Sequence, residues 1–125
     1  QFMRPQNIEI DRTGRIWIAD ACNHRLQIFN ADGDLLDVWG KEGGEPGALS
    51  YPYDVCFDED DNVYVCEYGN HRVQKFSPEG KSLATWGSAG REPGQLWNPW
   101  GLVRDSAGRM HVLDSNNHRV QRVRI

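Results

Sequence analysis

Three histidines, His24, His71 and His118, each sit inside an Asn-His-Arg triplet, and successive triplets lie 47 residues apart. Imidazole is a common zinc ligand and a frequent general base, so three such rings invite a metal or acid–base site. The spacing argues against it. Ligands of one zinc ion must all come within ~2 Å of it, whereas a fixed long step copies one position into successive structural units and keeps the rings apart. Asn23, His24 and Arg25, with Asn70, His71 and Arg72 and with Asn117, His118 and Arg119, therefore read as turn residues of a structural repeat motif. His111 takes the slot held by Trp17 and Tyr64 in the other copies and reads as a packed or interfacial histidine.

Asp20, Glu67 and Asp114 each precede the triplet arginine by five residues. Residues closing a hairpin face each other, so a guanidinium opposite a carboxylate forms a charge-assisted bond that pins the turn. A catalytic acid needs a raised pKa, and a neighbouring arginine lowers it, so these pairs read as structural. Asp11, Asp58 and Asp105 stand where carboxylates commonly hold turns. The run Asp58-Glu59-Asp60-Asp61 could draw calcium, but it lacks the spaced loop of an EF-hand and reads as a solvated turn. No serine lies in a Gly-x-Ser-x-Gly context, and Gly40–Gly47 and Gly87–Gly94 lack Gly-Lys-Ser/Thr and lead into strands rather than helices. The three cysteines have no CxxC spacing and read as free thiols, which favours a cytoplasmic compartment; a Cys56–Cys66 bridge in an oxidising compartment is the alternative. No catalytic residue, metal or cofactor is assigned.

The elements that carry these residues follow from the 47-residue step, which Pro5, Pro52 and Pro99 also obey, as do the Trp39-Gly40 and Trp86-Gly87 pairs. A period of this length marks a solenoid, propeller or array whose units cannot bury their apolar faces alone. Inside each unit the apolar runs are short, β-rich and bounded by turn residues, with no sustained helical period. The first unit predicts strands at Asn7–Asp11, Arg15–Asp20, Arg25–Asn30 and Leu35–Gly40. The second predicts Asp54–Asp58, Asn62–Glu67, Arg72–Ser77 and Ser82–Gly87; the third predicts Gly101–Asp105, Arg109–Asp114 and Arg119–Arg124, and no fourth. The second strands are nearly continuous in apolar character, which requires cover on both faces. The expected fold is all-β: four-stranded antiparallel meanders stacked as β-propeller blades over residues 5–51, 52–98 and, in part, 99–125. A two-layer sandwich would bury the strands but would not require a strict copy.

This grammar resembles the NHL repeat family: a proline before the first strand, a second strand such as Ile16–Asp20, the Asn-His-Arg triplet, and a closing Trp-Gly. WD40 repeats fit worse without a Gly-His opener or Trp-Asp closer, and kelch repeats lack their double glycine. The resemblance implies a six-bladed ring, of which the residues from Pro5 to Ile125 make about 2.6 units of 47. It implies three functional classes: protein- or RNA-binding ends of tripartite-motif proteins, extracellular sensor domains of bacterial kinases, and the peptidyl-hydroxyglycine amidating lyase. In that lyase metal-binding histidines follow the blade-opening proline, where this chain has Gln6, Tyr53 and Trp100. The metal site therefore does not transfer, and a non-enzymatic reading is preferred.

The 14 basic and 18 acidic side chains give a net charge of −4, which disfavours a general nucleic-acid binder. No run approaches the ~20 apolar residues of a spanning helix, and Gln1–Arg4 opens directly into repeat sequence without a charged-then-apolar leader. Gln1–Pro5 is in register with Gln95–Pro99, so the chain is expected either to continue covalently into further blades or to close a ring head to tail with a second copy. Residues 5–51 hold 4 basic and 8 acidic side chains, as do residues 52–98, whereas residues 99–125 hold 5 and 2.

In a meander the turns after the second and fourth strands emerge on one edge. That rim collects the triplet turns and the long linkers Lys41–Tyr51 and Ser88–Asn98, and it is the expected binding surface. Tyr51, Tyr53, Tyr68, Trp97, Trp100 and Arg91 are its partner-binding candidates, since Tyr and Trp offer large contact area with a polar handle. The competing reading of the aromatics is packing of blade on blade. The sequence thus predicts a scaffold that binds a protein or peptide, with single-stranded RNA as the disfavoured alternative because Glu42, Glu45 and Glu92 offset Lys41 and Arg91.

Overall fold

A computed structural model describes residues 1–125 as three antiparallel sheets. The first contains β1 (Pro5–Ile10), β2 (Ile16–Asp20), β3 (Arg25–Phe29) and β4 (Leu35–Trp39). The second contains β5 (Pro52–Phe57), β6 (Val63–Glu67), β7 (Arg72–Phe76) and β8 (Ser82–Trp86). The third has only β9 (Gly101–Arg104), β10 (Met110–Asp114) and β11 (Arg119–Val123). Strands adjacent in sequence are adjacent in space throughout, so each sheet is a meander of the β-propeller blade type. No helix is long and apolar enough to cross a membrane.

The strand bounds depart from the sequence expectation for identifiable reasons. β1 and β5 begin at proline, two residues early, because the first residue of an edge strand needs no ladder N–H; the register shifts between Pro5 and Asn7 and between Pro52 and Asp54. The first strands stop one residue short of Asp11, Asp58 and Asp105 because these side chains fold the turn. Asp11 Oδ1 accepts the Thr13 and Arg15 amides, each at 3.0 Å, and Asp58 and Asp105 repeat the pattern. The second oxygen accepts from a ring six residues on: Trp17 Nε1 at 2.8 Å, Tyr64 Oη at 2.9 Å and His111 Nε2 at 2.8 Å. The slot therefore demands a flat side chain with a polar tip, which a histidine supplies.

The core lies between the sheets. Trp17, Ala19, Leu26 and Ile28 of the first sheet meet Val55, Val63, Val65 and Phe76 of the second. On its other face, Tyr64, Cys66 and Val73 meet Leu102, Met110 and Val112 of the third. Linker residues Leu49 and Leu96 plug the two seams and are fully buried. Trp39 packs at the first seam, 4.9 Å edge-on to Trp17, and Trp86 packs against the second. Every residue of β6 is buried, whereas β2 and β10 are covered fully only on the face turned towards β6. The cover expected on both faces of all second strands is thus realised in the middle blade alone, since the outer flanks lack a neighbour. All three cysteines are free, and Cys56 Sγ lies 3.6 Å from Met110 Sδ across the second seam.

Candidate functional site

The Asn-His-Arg triplets and the long linkers do come out on one rim. Ala21–Asn23 and Ser115–Asn117 form single 3-10 turns that end on His24 and His118 in the left-handed conformation, at φ 53° and 54°. His71 repeats this at φ 53°. The ring of each interior histidine faces the linker leaving its own blade: His24 Nδ1 accepts the Tyr51 amide at 3.1 Å and His71 Nδ1 accepts the Asn98 amide at 2.9 Å. An accepting Nδ1 is an unprotonated one. Burial holds the His71 pKa below its ordinary 6.5, against the attraction of Asp114, which suits that role.

The same linker is fastened to the following blade by a buried carboxylate. Glu67 is fully buried, with Oε2 accepting Arg72 Nε at 2.6 Å and Gln74 Nε2 at 3.1 Å. Its Oε1 accepts Asn70 Nδ2 at 2.8 Å and the linker amide of Ser50 at 3.2 Å. Arg72 reaches onward to the carbonyls of Gly44 at 2.6 Å and Ala48 at 3.0 Å. Asp20 and Asp114 repeat the arrangement, bonding Arg25 at 2.9 Å and Arg119 at 2.7 Å and accepting the amides of Met3 and Trp97, each at 2.8 Å. Burial pushes the pKa of Asp20 and Asp114 up, but the amide, Asn, Arg and Gln donors outweigh it and hold both below the usual 3.8. These carboxylates have no free acceptor capacity aimed at solvent, so the arrangement is a clasp rather than an acid–base pair.

Sequence reasoning missed one member of the clasp. Gln27, Gln74 and Gln121 each bond the carboxylate, and Gln74 Oε1 also accepts the linker amide of Gly47 at 2.8 Å. The signal was present, since the glutamines obey the same 47-residue step two positions after the arginine. A second omission is the lateral bond from Asn7 Nδ2 to Asp54 Oδ1, while Asp54 Oδ2 accepts the Leu102 amide at 3.0 Å. Asp54 thereby touches all three blades. Burial raises its pKa, opposed by these donors.

Among the partner-binding candidates, Tyr53, Tyr68 and Trp100 form one cluster. Tyr53 at the start of β5 stacks on Tyr68 of the turn after β6, with ring centroids 4.4 Å apart and planes 18° apart. Trp100, just before β9 of the next blade, stands edge-on to both, 5.1 Å from Tyr53 and 5.9 Å from Tyr68, and is 50% exposed. Burial and the neighbouring Tyr68 raise the Tyr53 phenol pKa. Trp97 stacks on His71 at 4.7 Å and Tyr51 stands edge-on to His24 at 4.5 Å, each with one side in solvent. Tyr51 adjoins the cluster, its carbonyl accepting the Tyr68 amide at 2.9 Å. Asn98 bonds the Tyr68 carbonyl and the Asn116 side chain. Arg91 lies apart from the rings, at a polar cleft of about 240 Å³ with Asn116, Asn117, His118 and Arg119. No three His, Cys, Asp or Glu side chains converge closely enough to hold a metal ion.

The sequence profile of the NHL repeat matches residues 2–29, 49–76 and 96–123. NHL repeat-containing protein 3 of Homo sapiens is 37% identical over 51 residues, covering 40% of this chain and 15% of that protein. The Mus musculus protein of the same name is 42% identical over 40 residues, 31% of this chain and 12% of that protein. The chain thus matches only a small part of these relatives. Among solved structures, a streptogramin B lyase superposes with a TM-score of 0.67 at 17% identity, covering 97% of this chain and 40% of that one. An auxiliary nutrient binding protein from Bacteroides thetaiotaomicron gives a TM-score of 0.74 at 16% identity, with 92% and 36% covered. At such identities the likeness is one of fold.

Proposed function

The chain belongs to the NHL repeat family, and from that premise we propose that it is a non-catalytic scaffold gripping a protein or peptide on its long-linker rim. NHL propellers commonly mediate protein interactions, and the partner surface on this chain is the aromatic cluster Tyr53, Tyr68 and Trp100 with Tyr51 and Trp97 beside it. The observation that carries the reading is the convergence of rings from two blades on one rim, with Trp100 half in solvent. Rigid aromatic side chains of this kind supply contact area at low entropic cost and dominate many interfaces. The net charge of −4 favours a protein partner over a polyphosphate. The non-catalytic part of the reading rests on the clasp: its carboxylates and its two interior histidine Nδ1 atoms are all engaged in holding linkers.

Selection of a displayed random peptide library on the immobilised chain tests this. Enriched peptides should lose binding to Tyr53→Ala and Trp100→Ala but not to Glu79→Ala on the opposite rim, with all variants keeping the wild-type circular dichroism. Equal binding to all three variants would remove the cluster from the interface. Capture of oligouridine with a steep salt dependence, in place of peptides, would favour the RNA reading instead.

A further inference from the structure

The rings on the rim are not part of the repeat that builds the blades. Tyr68 stands where the other two copies have Ala21 and Ser115, Trp97 stands where the preceding linker has Ser50, and Tyr53 stands where the first copy has Gln6. The same turns and linkers form with those small or polar residues, so folding does not require an aromatic at any of these positions. Tyr51, Tyr53, Tyr68 and Trp97 also belong to the middle blade and its two linkers, where both seams are closed. Even there, Tyr51 is 40% and Trp97 44% exposed.

Their polar tips separate them from the rings of the seams. Trp17 and Trp39 donate their indole N–H groups to Asp11 at 2.8 Å and to Asp37 at 2.9 Å, and Tyr64 donates its hydroxyl to Asp58 at 2.9 Å. Tyr51, Tyr68, Trp97 and Trp100 bond only through their backbones, so their hydroxyl and indole donors are free. Those backbone bonds fix where the rings stand: the Tyr51 carbonyl accepts the Tyr68 amide at 2.9 Å, the Tyr68 carbonyl accepts Asn98 Nδ2 at 3.2 Å, and the Trp97 amide donates to buried Asp114 at 2.8 Å. Trp100 lies nearly perpendicular to both members of the Tyr53–Tyr68 stack, at 78° and 88°, and the crossed faces bound a corner.

A matching ligand brings apolar rings for the exposed faces and acceptors for the free donors. It carries no cation that must be paired at the stack, because Asp54 and Glu67, next in sequence to Tyr53 and Tyr68, are buried and engaged. A proline-rich chain meets these terms. In the polyproline II helix its pyrrolidine rings recur every third residue and its carbonyls bond to nothing within the chain, and aromatic-lined surfaces recognise it in this form. We infer that the rim takes a proline-rich segment of a partner protein in this conformation, with its rings against Tyr51, Trp97 and Trp100 and its carbonyls accepting from the Trp97 and Trp100 indoles and the Tyr68 hydroxyl. This rests on the scaffold reading above and narrows its partner class. Holding the rings in place beforehand lowers the entropic cost of such binding.

The probe is a capped oligoproline of about ten residues, ~30 Å long as polyproline II, with a capped Gly-Ser peptide of the same length as control. Each is titrated into the chain by calorimetry and by proton–nitrogen NMR of the indole groups. Oligoproline should bind and the control should not, with an affinity indifferent to salt because neither side of the contact is charged. The Trp97 and Trp100 indole signals should move, while those of Trp17 and Trp39, already bonded, stay in place. Trp97→Phe and Tyr68→Phe keep a ring and lose one donor, so each should weaken binding about fivefold, the share of one hydrogen bond. Trp100→Ala should weaken it more than about tenfold, with circular dichroism unchanged in all three. Equal binding of the control, or unaltered affinity in the three variants, would overturn the inference. Selected peptides that need Tyr53 and Trp100 but contain no proline would overturn it while leaving the scaffold reading standing. Salt-sensitive binding of oligouridine, with no binding of any peptide, would overturn both.

Discussion

The Arg72 guanidinium meets the Glu67 carboxylate at 2.6 Å with both side chains buried, and from there it holds the carbonyls of the linker that enters the same blade. Breaking a buried ion pair by deleting one member leaves the other uncompensated, which costs about 3–5 kcal/mol. Arg72→Met should destabilise the chain by that order in urea denaturation. Arg25→Met should cost less, because the Arg25 side chain is 27% exposed against 10% for Arg72. Equal losses would show that the pair does not owe its strength to burial.

His71 accepts the Asn98 amide through Nδ1, and its pKa lies below the ordinary 6.5. The unfolded chain therefore binds this proton more readily, so its contribution to stability is complete above pH 6.5 and declines as pH falls through the folded-state value. His71→Ala should cost roughly 1 kcal/mol for the orphaned amide and should flatten the stability profile below pH 6.5. An unchanged profile, from denaturation midpoints between pH 5 and 8, would contradict the assignment.

Asp11 is held at about 2: burial raises it, but bonds from Trp17, Thr13 and Arg15 prevail. A lowered carboxyl pKa means stability present above the ordinary 3.8 and lost as pH falls towards the folded value. Trp17→Phe keeps a ring in the seam but removes the indole donor. The expected result is an upward move of the Asp11 pKa, followed by carboxyl-carbon NMR, with a stability loss of about 1–2 kcal/mol.

Burial pushes the thiols of Cys56 and Cys66 up, Cys66 being fully enclosed. The thiolate is the reactive species, so a disulfide reagent should modify half-exposed Cys22 in the native chain and reach the other two only on unfolding. Prompt modification of Cys66 would mean that the second seam opens readily.

Much of this was legible in the spacing of the chain. The 47-residue step located the strands, the rim and the carboxylate–arginine pairs, because each is a local relation repeated in sequence. What escaped was non-local. The bond from Asn7 to Asp54 joins two blades at equivalent positions, and nothing in either residue's own neighbourhood announces it. The Trp86-Gly87 pair was visible as a repeat, yet its cause lies elsewhere: Gly87 has φ 101°, and a Cβ there would stand 2.9 Å from Leu96 Cδ1 and 3.2 Å from the His71 carbonyl. Likewise the rim aromatics could be named but not grouped. Only the fold reveals that Tyr53, Tyr68 and Trp100 share contacts while Arg91 borders a different cleft.

The middle sheet belongs to both apolar clusters, whereas each outer sheet belongs to one. Stability in such a stack is a sum over neighbouring pairs, so in residues 1–125 taken as a single copy an outer blade peels away at the loss of a single seam while β6 must lose two. Amide exchange should therefore be graded along the stack, fastest in β1 and β11 and slowest in β6, making the central meander the keystone around which the whole chain is ordered.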